Sequence, residues 1–137
     1  GMGNFSLPLA RKARHVVGVE DYAPSIEMAR LNAEANQIEN VEFFAADASS
    51  IMDRFKGENL DLVVLDPPRS GHYEVVNQLL QLNPERVLYV SCDPATLARD
   101  LVPLVSGGYE VISSQPFDLF PQTWHIESMT LLQKVSH

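Results

Sequence analysis

The sequence predicts an α/β fold: a mostly parallel sheet covered by helices on both faces. Three observations lead there. Short β-branched or apolar runs alternate with helix-like segments along the chain, and such alternation builds parallel strands joined by crossover helices. Two of the runs, in "LDLVVLDPP" (60–68) and "RVLYVS" (86–91), read as strands buried in a sheet interior. Each of the first four runs also stops at a residue able to do chemistry: Glu20, Asp47, Asp66 and Cys92. Parallel sheets bind ligands beyond the carboxyl ends of their strands, so these four residues mark a functional edge.

The elements follow in order. "GMGNFSLPLA" (1–10) is a glycine-rich turn entering a helix, and "HVVGVE" (15–20) is a short strand. "PSIEMARLNAEAN" (24–36) opens with Pro24, a favoured first helical residue, and sets Ile26, Ala29, Ala33 and Met28, Leu31, Ala35 at mostly helical spacings. "NVEFFAAD" (40–47) is a strand, 60–68 a buried strand ending at a diproline, and 72–82 a helix. "RVLYVS" is followed by the helix "PATLARDLVPLVS" (94–106), then by two closing strands, "YEVISSQPFD" (109–118) and "IESMTLLQKV" (126–135). The strand expected to feed the opening glycine turn does not precede it. Residues 1–137 are therefore expected to be a single domain cut from a longer protein, and the unpaired slot left in its sheet would invite self-association.

Composition narrows the classes. With 137 residues, 45% of them hydrophobic and 20% charged, the chain reads as one ordinary globular domain. A lone cysteine excludes an internal disulfide and fits a reducing, cytoplasmic setting. No apolar run approaches the roughly 20 residues that span a bilayer. His15, His72, His125 and His137 are scattered, so no metal site is expected. A net charge of −8 argues against a broad nucleic-acid-binding surface on this chain alone, because phosphates are met by Lys and Arg.

Several constellations carry chemistry. "GMGNF" with Glu20 suits a nucleoside: glycines admit a ligand close to the backbone, and a carboxylate ending the next strand can hold two ribose hydroxyls. Position 6 is Ser where a dinucleotide fingerprint needs a third glycine, which disfavours a nicotinamide cofactor. Asp47 can accept from an adenine amino group or cap a helix starting near Ala48, and the two roles are compatible. "LDPPRSG" (65–71) makes a rigid extended turn at the ligand edge. Cys92 reads either as an inert buried thiol or as a nucleophile at the start of a helix, where thiolate is favoured, with Asp93 opposing that effect. If the last strand runs antiparallel to its neighbours, Glu127 starts at the edge where Cys92 ends, and a nucleophile beside a carboxylate base forms a reaction centre. His125 is an alternative base. Phe117, Phe120 and Trp124 suit either base stacking or the core.

With these residues assembled, the chain resembles the RNA uracil-5 methyltransferases that use S-adenosylmethionine. The family's "CGxGNF", "DPPRxG", "SCNPxTLARD" and "DxFPxTxHxE" patterns stand here, in order, as "GMGNF", "DPPRSG", "SCDPATLARD" and "DLFPQTWHIE". The resemblance implies a Rossmann-like class I methyltransferase fold with an antiparallel last strand, its first strand absent from this chain, so that a gap or rearrangement is expected in the sheet. It implies methyl transfer from S-adenosylmethionine to C5 of a uridine in rRNA or tRNA, through a covalent adduct between Cys92 and uracil C6. Cys92 matches the nucleophile and Glu127 the base. Glu20 matches the ribose ligand, with Asn4 also near the cofactor, Asp47 at the adenine end, and Asp66 near the methionine part and the target base. No metal or membrane is implied. The sequence departs from the pattern at Asp93, where the family usually has Asn, and in beginning inside the first motif. An amino-group methyltransferase and a catalytically inactive fragment are the competing expectations.

Overall fold

A computed structural model describes residues 1–118 and 126–136. The chain forms two compact units, 1–53 and 54–137, and its strands form two separate hydrogen-bonded sheets rather than one.

In the first unit, α1 (Ser6–Ala10) leads to β1 (Val16–Glu20), α2 (Ala23–Ala35), β2 (Val41–Ala45) and α3 (Ala48–Ile51). A 3-10 turn, Met52–Phe55, follows and leads out of the unit. β1 and β2 pair in parallel from Val16 opposite Val41 to Glu20 opposite Ala45. Ile26, Ala29 and Ala33 recur every three or four residues, so one stripe of α2 packs on Phe43 with Leu7, Ile38 and Val41 around it. The second stripe expected on α2 is not buried: Met28 and Leu31 are exposed. Spacing creates both stripes, but the helix has only one face against the β1–β2 layer. Gly18 is needed for close packing, since a Cβ there would stand 2.6 Å from the Phe43 ring. The Asn40 amide closes the far end of α1 by donating to the carbonyls of Ala10 (2.7 Å) and Ala13 (2.9 Å).

The second unit contains β3 (Leu62–Leu65), α4 (Tyr73–Leu82), β4 (Arg86–Ser91), α5 (Pro94–Ser106), β5 (Tyr109–Phe117) and β6 (Glu127–Lys134). The strand order is β3-β4-β6-β5. β3 and β4 are parallel, whereas β6 runs antiparallel to both β4 and β5. The core joins Val75, Val76, Leu79 and Leu82 of α4 to Leu97 and Leu104 of α5 and to Val87, Tyr89 and Leu132 of the sheet. The Tyr109 hydroxyl donates to the Pro84 carbonyl at 2.5 Å, and Ser114 and Thr130 hydroxyls bond across β5 and β6. β3, expected to be buried, is only partly so: among the described residues it pairs with β4 alone, in keeping with the gap expected in the sheet, and Leu62 is exposed. An apolar run reports burial potential but not how many neighbours the strand acquires.

Candidate active site

Each sheet ends in a carboxyl edge, and the predicted site residues collect there. In the first unit Glu20 is the last residue of β1, and its carbonyl accepts from Ala46 N–H just beyond the end of β2. Asp47 follows one residue later, so Glu20 and Asp47 share an edge. Asp47 caps α3 as expected: its carboxylate accepts from the Ser50 amide at 3.2 Å and from the Ser49 hydroxyl. Asn4 is exposed in the turn before α1. That turn bends through Gly3 at φ +90°, and a Cβ there would crowd the Leu7 side chain at 3.1 Å. Its first residue brings the Gly1 ammonium to 2.5 Å from the Glu20 carboxylate, which also accepts from the Tyr22 amide. The neighbouring Asp21 carboxyl, more than any other group, holds Glu20 below its usual range against partial burial, and the Glu20 carboxylate raises Asp21 in turn.

In the second unit Asp66 directly follows β3, whose last residue, Leu65, pairs with Tyr89. Cys92 directly follows β4 and is half-buried. Its turn is pinned on both sides, because the Ser91 hydroxyl donates to the Asp93 carbonyl (2.9 Å) and accepts from the Asp93 amide (3.1 Å). Across the antiparallel ladder Ser91 stands opposite Ser128. The next rung of that register is position 92 opposite position 127. Glu127, half-buried at the start of β6, is also held by its pairing with Phe117. The antiparallel last strand therefore brings Glu127 to the edge where Cys92 leaves the sheet. Of the other expected residues, Phe117 is half-buried on β5, while Phe120, Trp124 and His125 lie outside the described residues.

The helix after Cys92 carries the opposing carboxylate that the sequence led one to expect. Asp93 is the N-cap of α5 and accepts from the Ala95 (2.9 Å) and Thr96 (3.1 Å) amides. The first amides of the helix are thus occupied by a carboxylate next to the thiol, and the helix N-terminus does not face Cys92 unopposed. The Thr96 amide, then that of Ala95 and the Arg69 guanidinium at 3.7 Å, keep the Asp93 carboxyl below its usual range despite an opposing effect of desolvation. Arg69 belongs to the "DPPRSG" loop, and the Thr96 hydroxyl donates to its carbonyl at 3.0 Å. The loops after β3 and β4 are laced together by these contacts, which spacing alone did not reveal. The available signal was a polar Thr one turn into a helix whose Asp cap is followed by Pro94.

Among the described residues no three His, Cys, Asp or Glu side chains cluster as a metal site, and no described helix is long and apolar enough to cross a membrane.

The family model described as tRNA (uracil-5-)-methyltransferase matches residues 1–135. The chain belongs to that family. It is 49% identical over 135 residues to the 23S rRNA (uracil(1939)-C(5))-methyltransferase RlmD of Pseudomonas savastanoi, which covers 97% of this chain and 30% of that protein. A crystal structure of Pyrococcus abyssi tRNA (uracil-54, C5)-methyltransferase in complex with S-adenosyl-L-homocysteine superposes with a TM-score of 0.82 at 35% identity, over 96% of this chain and 32% of that one. An rRNA methylase from Streptococcus thermophilus shares the fold at 17% identity, with a TM-score of 0.74 over 99% of this chain and 82% of that one. The chain thus spans about 30% of the length of the family relatives it matches. Its fold is Rossmann-like, of the class I methyltransferase type, with an antiparallel last strand.

Proposed function

We propose that this chain is the catalytic portion of a longer enzyme that transfers a methyl group from S-adenosylmethionine to C5 of a uridine in structured RNA. The observation that supports the reading is the β4–β6 register, whose last pair, Ser91 opposite Ser128, leaves a half-buried cysteine and a glutamate as the next residues at one sheet edge. The higher identity to enzymes named for 23S rRNA, 49% against 35% for the tRNA enzyme, supports a ribosomal uridine as the first substrate to test.

The residues of the first unit suit the cofactor. Glu20 ends β1 as an acceptor-only carboxylate, the chemistry two ribose hydroxyls require. Glu20 would hold the ribose, Asp47 the adenine end and Asn4 the neighbourhood of the glycine turn. Asp66 would serve the methionine part and the target base. S-adenosylmethionine, when bound, supplies the methyl group.

Cys92 and Glu127 perform the remaining chemistry. Uracil C5 is too weak a nucleophile unaided. The Cys92 thiolate adds to C6, forming an S–C6 bond and shifting the ring electrons into an enolate that makes C5 nucleophilic. Once C5 carries the methyl group, Glu127 takes the remaining C5 proton. The electron pair of that C–H bond restores the C5–C6 double bond as the S–C6 bond breaks and Cys92 leaves as thiolate. The Ser91–Asp93 clasp keeps the sulfur-bearing turn in place for the attack.

Two substitutions in the full-length enzyme test the assignment. Cys92→Ala abolishes methylation and leaves S-adenosylmethionine binding near wild type. Glu127→Gln accumulates a denaturant-resistant protein–RNA adduct, seen as a shifted band and mapped to Cys92 by mass spectrometry. Undiminished turnover in Cys92→Ala would instead favour direct methylation of a nucleophilic amino group, and a Glu127→Gln enzyme with no trapped species would remove Glu127 as the base.

A further inference from the structure

On α5 the buried residues are Leu97, Asp100 and Leu104, spaced as one helical stripe. A carboxylate in the middle of an apolar stripe, with no exposed surface at all, needs partners. It has four donated hydrogen bonds. One oxygen accepts from the Tyr89 hydroxyl (2.6 Å) and the His72 amide (2.7 Å). The other accepts from Nε (2.8 Å) and Nη2 (2.6 Å) of Arg99. Arg99 Nη2 also donates to the Ser70 carbonyl at 2.9 Å.

Two of the groups in this network, the Ser70 carbonyl held by Arg99 and the His72 amide held by Asp100, lie at the end of the "DPPRSG" loop and just after it. The loop reaches the carboxylate only because of Gly71, whose φ is +77° and where a Cβ would stand 2.5 Å from both Asp100 and Arg99. The Gly71 amide in turn donates to the Pro68 carbonyl at 2.8 Å, which closes the loop on itself. At its other side the loop is held by Thr96 and Asp93, the residues that cap the helix directly after Cys92. Tyr89, the third partner, lies on β4 three residues before Cys92.

We propose that Asp100 is a positioning residue for the methyl transfer: a buried anion that clamps the Asp66–His72 loop to β4 and α5, and so fixes Asp66 and Arg69 relative to the Cys92 turn. The proposal rests on the methyl-transfer reading and extends it to a residue that itself touches no substrate. Its geometry explains why a glycine closes one motif and an aspartate closes the next: each is shaped to the other. Burial raises the Asp100 carboxyl, but the donors from Tyr89, His72 and Arg99 more than offset this and keep it ionised. Replacing the carboxylate by an amide turns one acceptor into a donor that faces donors, so the clamp opens although the shape is nearly unchanged.

The test is Asp100→Asn in the full-length enzyme, with Tyr89→Phe as a milder companion that keeps the anion. Two readouts are taken: steady-state methylation of a uridine-containing RNA, and amide hydrogen exchange. With Asp100→Asn, kcat falls about tenfold or more while KM for RNA stays within about twofold, the pattern of misplaced rather than lost groups. Exchange at Gly71 and His72 accelerates, whereas the β4 and β6 amides keep wild-type protection. Tyr89→Phe shows the same pattern at smaller amplitude. Wild-type kcat in Asp100→Asn overturns the proposal, as does exchange that rises uniformly through the unit, since that marks a purely structural role. If the wild-type enzyme neither methylates RNA nor forms an adduct, it is the methyl-transfer reading that fails. The exchange arm then decides on its own whether Asp100 clamps the loop.

Discussion

Asp100 shows how much one side chain can be asked to do at the residue scale. Its carboxylate receives four donors in a site without solvent, and its pKa is held below the ordinary aspartate range because those donors outweigh the opposing effect of burial. Burial, and after it the bond donated to Asp100, raises the Tyr89 phenol in turn, so that pair stays in one protonation state through the neutral range. A carboxyl whose acidity is strengthened by folding stabilises the native state above its unfolded value, about 3.9, and loses that contribution as pH falls through the lower folded value. The difference in unfolding free energy between the wild type and Asp100→Asn is therefore constant from neutral pH down to about 5 and shrinks below about 4. Urea titrations at a series of pH values measure it. A difference that grows on acidification would mean that the carboxyl is buried neutral.

At the scale of elements, the central pair β4 and β6 carries most of the consequence. Val87 on β4 faces Leu132 on β6, and neither has exposed surface. Truncation of Leu132 leaves a cavity between two strands locked in register, so Leu132→Ala should cost about 3 kcal/mol in chemical unfolding. A loss under about 1 kcal/mol would show that the sheet can collapse onto the gap. The same register brings the start of β6 to the edge where β4 ends, and slippage by one residue would turn Glu127 to the other face. Both strands were legible in the sequence as apolar runs, but their antiparallel pairing came from the family resemblance. Helix α5 was legible to the residue, since Asp93 caps it, Pro94 opens it and Gly107 ends it. Two things were not legible. The second stripe of α2 has the right period but no layer to pack on, and β3 has an apolar run but only one partner. Periodicity states which face can be buried; neighbours decide whether it is. The Asp100 clamp escaped for a related reason, because a lone acid within an amphipathic pattern is ordinarily solvated, and only the fold shows that this one shares the stripe of Leu97 and Leu104.

For the whole molecule, charge decides what the chain can do with RNA unaided. It carries 10 Lys and Arg against 18 Asp and Glu. Several of the arginines already have internal partners: Arg30 donates to the Phe43 carbonyl, Arg99 to Asp100 and Ser70, while Arg69 stands by Asp93 and Arg86 by Glu85. The surplus of carboxylates over Lys and Arg repels a phosphate backbone. The proposed reaction nonetheless requires an RNA held firmly enough to present one uridine to Cys92. On the proposed reading, this chain by itself is therefore expected to bind RNA weakly. Anisotropy titration of a labelled uridine-containing hairpin should then give a dissociation constant weaker than about 10⁻⁵ M for the chain alone at physiological salt, with a shallow dependence of log K on log salt, a slope of magnitude below about 3. Tight binding with a steep salt dependence would place an RNA-binding surface on these 137 residues despite their net charge of −8, and would transfer substrate selection to the domain that performs the catalysis.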